Sequence, residues 1–213
     1  MNTPKEQLDA IKDMRNLMER SSRFLSLSGL SGVAIGIFAL LGLSALYIKL
    51  DLSPLNTGFQ EKMVALDGNY KDDIFQFVLL DAIVILIASL AVGTWMSVNR
   101  SKKLNLPSWD PAAKRLVINL MIPLVAGGLL CLLFIQKGEL AYLAPITLLF
   151  YGLALVNASK YTVDEIRNLG IIEIILGLFA FWQLDFALLF WGIGFGILHI
   201  IYGIFIHTKH QNK

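Results

Sequence analysis

Six apolar stretches, joined by short polar connections, constrain this chain more than any other feature. They cover residues 24–48, 74–98, 116–135, 140–156, 169–182 and 186–206. A helix crossing the hydrocarbon of a bilayer needs about 20 mostly apolar residues. The expected fold is therefore all-α, a polytopic transmembrane bundle of six helices. Composition agrees with this: 56% of residues are hydrophobic and 16% charged, against about 25% charged in a soluble domain.

Basic residues give the bundle a direction. Fourteen of the 18 Lys and Arg fall before the first stretch, between the second and third, between the fourth and fifth, or after the sixth. The other connections hold only Lys49, Lys62, Lys71 and Lys137. Cationic loops stay on the cytoplasmic side, so both termini are expected inside. The chain then divides into an amphipathic interfacial helix (1–23), a six-helix transmembrane domain (24–207) and a cytoplasmic tail (208–213).

The first twenty residues do not read as a cleavable signal, because four acidic residues stand among them. Thr3, Pro4 and Glu6 form a helix-start signature. Leu8, Ala10, Ile11, Met14, Leu17 and Met18 share one half of the helical wheel and the charged residues the other. Such a helix lies on a membrane surface or against a partner. Asp110 and Pro111 mark the start of the third span. Thr162 and Glu165 form a capping box that starts the fifth near Val163, and Asp185 can cap the sixth. Residues 136–139 and 183–185 fit only tight hairpins. Residues 51–73 are expected to be an external loop, with perhaps one helical turn and solvated acidic side chains.

Three ionisable residues stand inside the spans: Asp81, Glu173 and His199. Charge in hydrocarbon is costly, which makes each a functional candidate. Gly170, Glu173 and Gly177 share a face of span five. Gly192, Gly196, His199 and Gly203 share a face of span six, and Ser28, Gly32 and Gly36 one of span one. Small residues let helices approach closely, so these faces are expected to pack on one another around Glu173 and His199. In a hairpin turning near Gln183, Glu173 lies level with about Gly194, and His199 about 7.5 Å deeper. Asn119, Tyr151, Asn157 and Tyr202 fall at similar depth and complete an inner polar cluster. It reads either as a hydrated cavity toward the cytoplasmic leaflet or as a hydrogen-bond network that only holds helices together. Asp81 lies in the outer half and is expected either to pair with Lys49 or Lys137, the favoured reading, or to face the bundle and accept a proton.

No Cys motif for zinc or haem is present; the lone Cys131 lies within a span. HExxH, GxSxG and Walker sequences are absent. No basic aromatic-interleaved patch suggests nucleic acid. No cofactor, metal or catalytic residue is assigned. Pro123 and Pro145 are the only breakers expected within spans.

Four runs carry a resemblance: MERSSRFLSLSGLSG (18–32), RLVINLMIPLVAGGL (115–129), FYGLALVNASKYT (150–162) and LLFWGIGFGILHIIYG (188–203). In these the chain resembles an uncharacterised family of six-span bacterial inner-membrane proteins. The resemblance implies that membrane as location and transfers no functional residue. Three functions remain. The first is an accessory or sensory protein binding a lipid, a small amphiphile or a partner helix, which a second copy could supply, in a glycine-lined interior. The second is a proton-coupled carrier or small channel using Glu173 and His199. An enzyme acting on lipid ranks third.

Overall fold

The computed structural model of the chain describes residues 29–53, 58–65, 73–105, 107 and 109–211. The amphipathic helix expected at 1–23 and the start of the first span, with Ser28, lie outside the described residues, as do Asp67 and Asp72. Within them the chain is an all-helical bundle. Its helices are α1 (Gly29–Leu50), α2 (Phe59–Ala65), α3 (Asp73–Lys103), α4 (Pro111–Gln136), α5 (Leu143–Ala158), α6 (Glu165–Trp182), α7 (Ala187–Trp191) and α8 (His199–Gln211). A seven-residue π-helical segment, Gly192–Leu198, joins α7 to α8.

Five helical segments are long and apolar enough to cross a membrane: Gly29–Leu50, Asp73–Lys103, Pro111–Gln136, Leu140–Tyr161 and Leu184–Lys209. On α3 and α4, Leu86, Ile87, Leu90, Ile118, Ile122, Leu129 and Leu132 are each more than half bare. An apolar belt of that extent is covered by lipid rather than water, so this is a membrane protein. The remaining long helix, α6, carries Glu165, Arg167 and Glu173 in 18 residues. At 1.5 Å per residue it is about 27 Å long.

Two glycine seams hold the centre. In the first, α1 lies on span six: a Cβ on Gly32 would meet the Gly203 Cα at 3.2 Å, and one on Gly36 the Gly196 carbonyl at 2.6 Å. In the second, α5 and α6 run antiparallel: a Cβ on Gly152 would meet the Gly170 carbonyl at 2.6 Å, and one on Gly177 the Leu149 nitrogen at 2.8 Å. This corrects the expected arrangement. Gly170 and Gly177 face span four, not spans one or six. Gly192 packs against the Leu43 side chain of α1. Gly32, Gly152, Gly170 and Gly203 are taken up by backbone contact and Gly192 and Gly196 by leucine side chains, so these glycines form packed seams. Outside these seams, α3 packs on α1 and α4 on α5.

Several helix ends follow from local chemistry. Asp110 has extended backbone and accepts the Ala113 N–H at 2.6 Å, with Pro111 opening α4. The hairpin after α4 turns at Gly138, whose φ of 77° is open to glycine at little cost. Helix α6 begins at Glu165, two residues later than the capping-box reading placed it. Glu165 pairs with Lys209 of α8, tying the start of α6 to the last helix. Pro145 is the third residue of α5 and breaks nothing; Pro123 lies inside α4.

The segment expected to be a solvated loop contains a docked helix. Phe59 and Met63 of α2 are buried with Leu46, Leu50, Phe75, Leu140, Ala141 and Leu188. Lys62 reaches the carbonyl of Leu50 at the end of α1. Asp185 does not cap span six; its carboxylate accepts the Gln60 N–H at 3.4 Å. A short amphipathic helix thus covers one end of the bundle.

Candidate functional site

Glu173 sits eight residues after the start of α6 and nine before its end, or roughly 12 and 14 Å along the axis. It therefore lies near the middle of the helix. Three elements enclose it. Its own helix is pressed against α5 by Gly170 and Gly177, and the Leu148 side chain of α5 closes one side. On the other side lies Gly194 of the π segment, where a Cβ would stand 2.4 Å from Glu173 Oε2. The side chain is wholly buried. Neither carboxyl oxygen has a hydrogen-bond partner.

His199 is the nearest ionisable group. Its Nδ1 lies 3.5 Å from Glu173 Oε1 and 2.9 Å from the Gly194 carbonyl oxygen. A carbonyl only accepts, so Nδ1 carries a proton and donates to Gly194. Nε2 lies 2.8 Å from the Tyr151 hydroxyl. With the ring neutral, Tyr151 donates to Nε2. With the ring charged, Nε2 donates to Tyr151. Both ring nitrogens are thus satisfied without Glu173, and the carboxyl is left over. The expected axial gap between Glu173 and His199 is closed by side-chain reach.

This arrangement can accept and release a proton in a dry setting. A buried ionised carboxylate without donors carries a desolvation penalty of several kcal/mol, whereas the neutral acid carries the smaller cost of an unpaired polar group, about 1–3 kcal/mol. The His199 Nδ1–H, 3.5 Å from Oε1, is already engaged by the Gly194 carbonyl.

An aromatic stack supports the ring. Phe195 lies 5.7 Å from His199, 4.8 Å from Tyr151 and 4.9 Å from Trp191, centroid to centroid. Trp191, Phe195 and Tyr151 are half-buried.

The expected inner cluster divides. Tyr151, His199 and Glu173 come together. Asn119 and Asn157 do not join them: the Asn157 amide donates to the Asn119 backbone carbonyl at 2.8 Å, and the Asn119 amide to the Arg115 carbonyl. They link spans three and four. Tyr202 packs with Tyr151, Leu120 and Leu198 against buried Leu155, Val163 and Ile206, so it adjoins the site through the Tyr151 ring. Asp81 is half-buried on α3, beside Gly42 of α1. Among the described residues it forms no ion pair: Lys49 lies over the Phe77 ring at 5.7 Å instead.

Sequence reasoning missed the π segment and the role of Gly194. The available signal was Gly192, Gly194 and Gly196 at every second position, a spacing that serves no single helix face. Among the described residues no group of three or more His, Cys, Asp or Glu could hold a metal ion.

Set against protein-family models, curated proteins and solved structures, the chain matches none.

Proposed function

We propose that this protein is a small proton-coupled carrier whose proton-binding group is Glu173, held beside His199 near the bilayer midplane. The observation that carries the reading is a wholly buried carboxyl with no hydrogen-bond partner on either oxygen. Intramembrane carboxyls are expensive and are retained where ions or protons move. An irregular span at the site adds support, since transporters bind near interrupted helices; here the π segment lies beside Glu173. In this reading α6 is a full crossing, which gives six spans. The basic connections, including residues 100–115, and both termini face the cytoplasm. The resemblance in four runs to six-span bacterial inner-membrane proteins supports that membrane as its location.

A second reading keeps the same topology and makes the protein an accessory or sensory one that binds a lipid or small amphiphile. The half-buried rings of Trp191, Phe195 and Tyr151 favour it, because amphipathic and aromatic surfaces suit such a guest.

The test is proton binding by purified protein in detergent. A lightly buffered sample taken through a pH jump is compared with the Glu173→Gln variant. Loss of one proton per chain in the variant is expected. Identical proton uptake by the two would remove the carrier reading and leave the second.

A further inference from the structure

A carboxyl shut away from water exchanges its proton only through a group that can hold one in turn. Glu173 is wholly buried, and neither of its oxygens has a hydrogen-bond partner. The Leu148 side chain and the Gly194 backbone stand against it. Among the described residues His199 is the one basic side chain in ion-pair reach, with Nδ1 3.5 Å from Oε1. The other ring nitrogen, Nε2, lies 2.8 Å from the Tyr151 hydroxyl. An imidazole can take up a proton at one nitrogen and give one up from the other. Here one nitrogen faces the carboxyl and the other a hydroxyl.

We propose that His199 is the proton relay of this site: each proton that Glu173 binds or releases passes through its ring, with Tyr151 as the outer partner. This inference rests on Glu173 being the proton-binding group proposed above. In the resting ring the proton sits on Nδ1, donated to the Gly194 carbonyl at 2.9 Å, and Nε2 accepts from Tyr151. Uptake begins when a hydronium gives a proton to the Tyr151 oxygen, whose own O–H proton moves to Nε2. The ring is then a cation. Its Nδ1–H leaves the Gly194 carbonyl for Oε1, a charged acceptor about twice as strong. The products are a neutral carboxyl, a neutral ring protonated on Nε2, an unchanged tyrosine and one water. The Glu173 O–H now faces the bare Nδ1, and the Nε2–H faces Tyr151. Both contacts persist with their directions reversed, and release runs the same steps backward.

The surroundings fit the ring for this task. Phe195 stacks on it, with 14° between the planes, and so keeps each nitrogen on its own partner. The 3.5 Å gap to Oε1 is about 0.3 Å longer than a hydrogen bond, and proton-transfer contacts of this kind tighten when the site is engaged. The titratable groups facing Glu173 are His199 on α8 and Tyr151 on α5. Helix α1 meets this part of span six through Gly36, which brings no charge. Arg167 lies six residues before Glu173 on α6, roughly 9 Å along the axis. His199 stands five residues past Gly194, roughly 7.5 Å toward the α8 end of the span. The relay therefore opens Glu173 toward the end of the bundle that the basic connections assign to the cytoplasm.

The experiment is stopped-flow proton uptake by the purified full chain in detergent after a pH jump, read as amplitude and as rate. His199→Gln keeps an amide N–H for the Gly194 carbonyl and cannot relay. Tyr151→Phe keeps the histidine and removes its outer partner. Both should retain the one-proton amplitude of the parent and slow uptake by about 10- to 100-fold, the lower range of what a positioned proton-transfer group contributes. Leu148→Ala loosens the packing beside the carboxyl and should not slow uptake. Slowing by less than about tenfold in either relay variant, with Glu173-dependent uptake intact, would overturn the relay and leave the proposed function standing. Equal slowing by Leu148→Ala would overturn it too, because packing alone would then account for the rate. So would a lost amplitude in a relay variant that unfolds at the parent's temperature. If His199→Gln fails to fold, Tyr151→Phe decides alone. Uptake by Glu173→Gln equal to that of the parent would overturn both the relay and the function it rests on.

Discussion

Replacing Glu173 by methionine should make the protein more stable while abolishing its proton binding. The side chain is wholly buried and both oxygens lack partners. A buried polar group left unsatisfied costs about 1–3 kcal/mol. Methionine is of similar length and adaptable, and it would meet Leu148 and the Gly194 backbone with dispersion contacts in place of that penalty. His199 loses little, because its two nitrogens are held by Gly194 and Tyr151. The expected gain is therefore about 1–3 kcal/mol. For a chain of this size that corresponds to a rise of roughly 2–12 °C in Tm. Thermal unfolding in detergent, followed by tryptophan fluorescence, reads it directly. A fall in Tm by more than a few degrees would refute the reasoning. It would mean that the carboxyl binds the helices together, as a hydrogen-bonded structural group does.

Three further perturbations separate seam from surface and test the docking of α2. Gly170→Ala sets a Cβ 2.8 Å from the Gly152 carbonyl and 2.9 Å from the Val156 nitrogen; neither can yield, and a loss of about 1–3 kcal/mol is expected in the same unfolding assay. Gly128→Ala, with nothing within 4 Å of its Cβ, should instead be neutral or gain up to about 1 kcal/mol from helix propensity. Phe59→Ala empties a buried aromatic site beneath α2, where Phe→Ala typically costs about 3–5 kcal/mol. Undocking of α2 should appear as faster thiol labelling of Met63→Cys, with unchanged labelling arguing that α2 is held by its polar contacts alone.

Residue order alone determined the all-helical, membrane-embedded character, because a run of 20 apolar residues has few other fates and the period of charge along the chain is visible without coordinates. It also showed Asp110 and Pro111 as a helix start and placed Glu173 level with Gly194, since both follow from helix rise and local capping. Which glycine meets which helix was decided only by tertiary structure. Gly170 and Gly203 are alike in sequence, yet one meets α5 and the other α1. A small-residue stripe says that something approaches closely and does not name the neighbour. The docking of Phe59 and Met63 was hidden for a similar reason: seven residues are too few for a periodic pattern to stand out between two spans. The π segment lay further out of reach, because a one-residue widening of a helix leaves no period in the sequence. The meeting of a histidine, a tyrosine from another helix and a carboxyl from a third was hidden as well, since only the folded bundle sets them side by side.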